Sequence, residues 1–414
     1  MKPSWKKRFK PEIVLDKISE IMTVNEDDSV SYSGFEYMEY KASLYSMLNF
    51  QKHITSFENN YLVERALTKT AKSKDLTPEN FIEELKLLCN EELQKKEVKF
   101  HLLTSISLAP PFPIKQIIIG QSTIRILPNT FAKKYSSRHG LCREAQRRRP
   151  VLECSHKGYA NVIITTKAKS IHKATSQCLD DLDLLRALWS LFANSSIELH
   201  GDRWTPINKI RLGSFHTLHK ESGKNIDSDL FWFEPNFVHA KPFKIKNDEL
   251  GIFQKNTKSL LKDLSKCKYS EKIENALLRY VRALDEPDQN TAFLHIWGAL
   301  ESLTAYKESN KENLPKRCAF LFSDYDYHKQ VLEHLREYRN QSVHAGDRSE
   351  EAKSYCYQLQ FYFRQMIFFY LRNADRFKSL DEANDFLDQP VNIHELKRKR
   401  DLIDRVIKFR GGDS

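Results

Sequence analysis

Residues 291–306 read TAFLHIWGALESLTAY. Phe293, Ile296, Trp297, Leu300, Leu303 and Thr304 recur at helical spacing and form one apolar stripe. A helix with such a stripe must be covered by others, and the surrounding sequence supplies them. From 249 to 374 the chain reads as helix throughout. Residues 354–374, SYCYQLQFYFRQMIFFYLRNA, are apolar around most of the helix circumference. That places them at the centre of a bundle or at a subunit contact. Residues 381–410 read as a helical tail ending in HELKRKRDLIDRVIKFR, whose Leu, Ile and Val spacing suits a packed amphipathic helix.

The first 245 residues have a different character. Residues 1–30 are basic and polar with little periodicity and read as an extended arm. Between 35 and 97 the pattern is helical. Thr77 is a natural N-cap, Pro78 suits the first turn, and Phe81, Leu85 and Leu88 follow at helix spacing. Short β-branched runs then predict strands at about 99–108, 116–127 and 159–167. A helix follows over about 172–193, with Leu182, Leu185, Leu188, Trp189 and Phe192 on one face. Residues 200–248 read as irregular. The expected fold class is mostly α: an α+β domain over 1–245, a helical bundle over 246–378 and a basic helical tail over 379–414.

The chain has 414 residues, 40% of them hydrophobic and 29% charged, which is enough apolar material for a substantial core. The net charge of +11 and a pI of about 9.1 favour a polyanionic partner, nucleic acid first. Seven scattered cysteines, an odd number, suggest free thiols in a reducing cytoplasm. The N-terminus lacks the apolar run of a signal peptide. The run FYFRQMIFFYL is too short to span a bilayer and carries Arg364, so no membrane association is expected.

Residues 337–350, EYRNQSVHAGDRSE, carry the residue types of one chemistry. An Arg fork binds phosphate oxygens and offsets charge in a pentacoordinate transition state. A His takes a proton from an RNA 2′-hydroxyl or gives one to a leaving 5′-oxygen. Asn340 can hydrogen-bond the phosphate or orient the His. RNA carries its own nucleophile, so no metal or cofactor is required. Arg339 and His344 would point about 140° apart on a regular helix and converge only where the helix ends or bends. Gly346 permits an ending. By spacing alone, a surface Arg and a helix-capping His would account for the pair.

RNQSVHAG resembles the Arg-Asn-x-x-x-His motif of HEPN domains. TAFLHIWGALESLTAY is similar to the upstream helix of the ApeA-like HEPN group, and LPKRCAFLF to its connecting helix. The likeness covers about 250–375. It implies a small helical bundle that forms a homodimer, with the two motifs meeting in one composite site. It implies a metal-independent endoribonuclease leaving 2′,3′-cyclic phosphate and 5′-hydroxyl ends. His344 would then be the general acid/base, Arg339 the phosphate binder and Asn340 an orienting residue. Glu301 matches the Glu of the upstream helix, at the edge of the apolar stripe, where it would either hold Arg339 or be a solvated helix-edge carboxylate. ApeA-like members are associated with toxic, abortive-infection defence against phage, which implies a phage-derived trigger. A non-catalytic HEPN module that binds nucleic acid or dimerises is the alternative.

AKKYSSRHGLCREAQRRRP, residues 132–150, offers Lys133, Lys134, Arg138, Arg143, Arg147, Arg148 and Arg149 as a nucleic-acid-contacting loop, or simply a solvated one. His139, Cys142, Cys154 and His156 are zinc-type ligands in an arrangement that matches no standard finger, so no metal is expected.

Overall fold

A computed structural model describes the chain apart from residues 1–2, 28, 51–55, 74, 129, 195–196, 199–203, 305–312, 345, 347 and 412–414. The side chains of residues 56–58 and of His344 are also outside the described set. The chain is mostly helical with some strand, and it divides into two compact units. One comprises residues 1–102, 164–179 and 218–227. The other comprises 103–163, 180–217 and 228–414.

The chain begins with β1 (Ser4–Trp5), α1 (Pro11–Glu20), β2 (Met22–Val24), β3 (Val30–Tyr32), α2 (Glu36–Ser46), β4 (Leu48–Asn49), α3 (Ser56–Lys72) and α4 (Pro78–Gln94). The expected N-terminal arm is therefore wrong. Pro11 opens α1 at its first turn, and Leu15 and Ile18 are fully buried on one face. They join Leu44, Leu62, Val63, Phe81, Leu85 and Leu88 in the core of the first unit. Each such side chain contributes about 1.5–3 kcal/mol of transfer free energy. The Thr77 side chain accepts from the Asn80 N–H at 3.3 Å and caps α4. Trp5 stacks on Phe81 with centroids 5.5 Å apart and donates to the Pro78 carbonyl at 3.2 Å.

Next come β5 (Val98–Ile106), β6 (Leu108–Ala109), β7 (Gln116–Ile119), β8 (Ser122–Leu127), a 3-10 turn at Lys133–Tyr135, α5 (Arg138–Arg148), β9 (Ala160–Ala168), α6 (Ile171–Ala193), β10 (Phe215–Lys220), β11 (Phe231–Phe233) and β12 (Phe243–Lys244). A six-stranded sheet runs in the order β11-β10-β5-β9-β8-β7. The described residues of 200–248 thus carry three strands where none was expected. In β10, Phe215 pairs with Phe233 of β11, an association that short-range periodicity does not reveal. The basic stretch 132–150 is a turn and a helix, not a loop. Leu141 and Ala145 of α5 are buried with Leu152 and Phe215, and that burial holds the helix in place.

The helical region consists of α7 (Leu250–Lys266), α8 (Ser270–Leu284), α9 (Gln289–Thr304), α10 (Leu314–Ala319), α11 (Tyr325–His344), α12 (Ala352–Arg372), α13 (Leu380–Leu387) and α14 (Ile393–Phe409). The α9 stripe is buried along its length. Tyr280 of α8 stacks on Phe363 of α12, 4.1 Å between centroids. The tail departs from expectation: α14 forms, capped by Asn392, but buries no residue. Among the described residues no helix is long and apolar enough to cross a membrane.

The cysteines also differ from expectation. Cys142 and Cys154 form a disulfide, with Cα atoms 5.9 Å apart, and the other five are buried thiols outside any disulfide.

Candidate functional site

Helix α11 presents the Arg-Asn-x-x-x-His stretch. Tyr338 anchors it. Its ring lies 4.8 Å from Phe293 of α9 and 4.9 Å from Tyr355 of α12, and its hydroxyl donates to Asn290 Oδ1. This burial turns the next residue, Arg339, toward α9, where Arg339 Nη2 lies 4.0 Å from Glu301 Oε2. The side chains are 28% and 32% exposed, so solvent reaches both. At this separation the carboxylate steers the guanidinium without a tight bidentate clasp, leaving N–H groups available to a ligand. Arg339 Nη1 also donates to Asn340 Oδ1 at 3.2 Å.

Helix α11 stays regular through His344, so no bend brings Arg339 and His344 onto one face. Asn340 links the two directions: it touches Arg339 and lies one turn before His344, about 40° away around the axis. The His344 side chain itself lies outside the described residues. Gly346 follows with φ 71°, a left-handed conformation that terminates the helical path. Arg348 pairs with Asp288, and the Ser349 N–H donates to Asn290 Oδ1 at 3.0 Å, fixing the segment after the motif.

The basic segment divides by environment. The Arg138 guanidinium donates to the Leu103 carbonyl at 3.1 Å, to Thr217 Oγ1 at 2.5 Å and to the Phe215 carbonyl at 3.2 Å. Burial lowers its pKa to about 9, and it acts as an internal brace. Arg147 and Arg148 both bind Glu144, whose carboxyl these hydrogen bonds hold at about 2, and Arg148 reaches Asp229 at 3.0 Å. Arg149 lies over the Phe233 ring at 4.1 Å. Lys133, Lys134 and Arg143 are exposed. The surface keeps a basic character, but without Arg138.

His139, Cys142, Cys154 and His156 do not assemble. His156 is hydrogen-bonded to Ser214 Oγ at 3.0 Å and stacked on Phe237, and the two thiols are joined. No group of three or more His, Cys, Asp or Glu among the described residues is placed to hold a metal.

Sequence reasoning missed a charged network in the second unit. Arg186, fully buried, binds Asp183 at 2.8 Å and Asp285 at 2.7 Å. Arg282 bridges Asp183 and Glu234, and Glu234 accepts from His216 Nε2 at 3.1 Å. These residues come from four separate stretches of chain, so no local spacing announces them. Comparison with protein-family models, curated proteins and solved structures gives no match to this chain.

Proposed function

We propose that this protein is a metal-independent endoribonuclease of the HEPN type, acting as a homodimer on RNA. The observation that carries the reading is the Glu301–Arg339–Asn340 constellation, solvent-reachable and one turn before His344 at a helix end. Glu301 orients Arg339 to receive the scissile phosphate, and Asn340 joins phosphate binding to His344. A His344 imidazole accepts the 2′-hydroxyl proton as the 2′-oxygen attacks phosphorus. The bond from phosphorus to the 5′-oxygen breaks, and the His344 of a second copy returns a proton to that oxygen. The products are a 2′,3′-cyclic phosphate and a 5′-hydroxyl. Two copies of the motif answer the single-chain problem that Arg339 and His344 leave a regular helix about 140° apart.

A role in toxic, abortive antiphage defence, with a phage-derived trigger, belongs to the same proposal. The regular helix through His344 favours a second reading, a HEPN module that binds nucleic acid or dimerises without cleaving it.

The test is incubation of purified wild type and His344→Ala with total cellular RNA in EDTA, followed by end mapping. Cleavage by wild type alone, with cyclic-phosphate ends, is expected. Equal cleavage by both would overturn the site assignment. Retained RNA binding without cleavage by either, in the presence of phage lysate, would select the second reading.

A further inference from the structure

The second unit contains a cavity of about 570 Å³, within the range of small-molecule sites. Helices α8 and α9 form one side, and the segments flanking β10 and β11 form the other. Its lining combines apolar side chains, Phe237 and Val238 on one side and Leu294 of α9 on the other, with charged groups. Half of those charges are already matched inside the protein. Arg282 is held between Asp183 and Glu234, and Asp285 by Arg186 and Asn208.

Two guanidiniums are not matched in this way. Arg211 gives Nε to the Asn208 carbonyl at 2.7 Å, Nη1 to Val238 at 3.3 Å and Nη2 to Pro206 at 2.7 Å. These are neutral acceptors, and they leave two of its five N–H groups. Arg279 is exposed at the rim, and among the described residues it makes no hydrogen bond or ion pair. His295 joins it there. Against these stand Glu286 and the network itself, in which the guanidiniums of Arg186 and Arg282 face three carboxylates, Asp183, Asp285 and Glu234, so the charges balance overall. What the lining offers an anion is therefore local: the N–H groups that Arg211 and Arg279 leave open.

Gly298 is the second, independent feature. It lies in the middle of α9, where glycine is unfavourable relative to alanine, yet an added Cβ would meet no atom within 4 Å. No packing inside the protein requires the missing side chain. Gly298 instead opens the cavity wall, as close approach of a ligand to the helix would need.

We infer that this cavity binds a nucleoside monophosphate. The base would lie against Phe237, Val238 and Leu294 with one edge over Gly298. The phosphate would engage Arg279 and His295, and Glu286 or Glu234 would accept from ribose hydroxyls or an exocyclic amine. The inference stands apart from the nuclease reading, because binding is measured without RNA.

The experiment is isothermal titration of the full chain with AMP, GMP, CMP and UMP, with adenosine and inorganic phosphate as truncated probes. Saturable binding of at least one monophosphate is expected, with its nucleoside or phosphate alone at least tenfold weaker. Gly298→Phe, filling the cavity, and Arg279→Ala, removing the rim cation, should each weaken binding at least tenfold. Thermal melts of both variants check folding, and Arg279→Ala is the control should Gly298→Phe fail to fold. No titration by any monophosphate up to millimolar concentration would overturn the inference. So would binding unchanged in Arg279→Ala, or by adenosine as tightly as by AMP.

Discussion

His216 is buried with Nδ1 2.7 Å from Thr104 Oγ1 and Nε2 on Glu234. Burial lowers its pKa from 6.5, outweighing the hydrogen bond to Glu234, so the folded ring stays neutral and donates. Glu234 is displaced too. Burial would raise its pKa, but the His216 hydrogen bond and the Arg282 charge hold it at about 2. The signs agree. Below pH 6.5 the unfolded chain takes up a proton that His216 refuses, and below about 4.5 it takes up one that Glu234 refuses. Stability falls with pH in both windows. Urea midpoints at pH 5 should lie below those at pH 7, and His216→Gln should remove part of the difference, on the order of 1 kcal/mol. An unchanged slope in the variant would show that His216 does not titrate on unfolding.

At the scale of elements, α13 and α14 are neighbours in sequence with opposite roles. Leu380, Ala383 and Leu387 of α13 are buried, and Asn384 Nδ2 donates to the Leu303 carbonyl at 3.1 Å. Arg317, buried, binds Asp388 just beyond α13 with Nε 2.8 Å from Oδ1 and Nη2 2.5 Å from Oδ2. Helix α14 touches no core, although Leu396, Leu402, Ile403, Val406, Ile407 and Phe409 are all exposed on it. Ending the chain at Gln389 should therefore shift Tm by no more than about 2 °C, the range of surface changes. Arg317→Met should cost about 3–5 kcal/mol in chemical denaturation, because it strands Asp388 and the Thr304 carbonyl. A large loss on truncation would mean that α14 is covered in solution.

At the scale of the whole molecule, +11 is a property of the chain rather than of one patch. If RNA is the partner, affinity should fall more than tenfold between 50 and 200 mM salt through counterion release. Light scattering should give twice 48.6 kDa for the proposed dimer. A monomer at all concentrations would remove the composite site.

Local pattern alone determined the helices with one apolar face and their caps. Phe81, Leu85 and Leu88 behind Thr77, and the stripe from Phe293 to Thr304, report their own burial, because helical spacing is a nearest-neighbour property. The same holds for the strand runs near 99 and 159, whereas the run 116–127, expected as one strand, folds back on itself at Gly120, φ 55°, as the antiparallel pair β7 and β8. The motif at 339–344 was visible as residue types on a helix ending before Gly346. Other features depended on distant parts of the chain. That Arg138 is an internal brace follows from carbonyls at Leu103 and Phe215. That Arg339 faces Glu301 follows from Tyr338 anchored on Phe293 and Tyr355. The pairing of β10 with β11, the Cys142–Cys154 bridge and the cavity over Gly298 each join segments whose separation in sequence carries no periodic signal. Only the tertiary structure decided them, because burial and charge pairing depend on which groups meet in space.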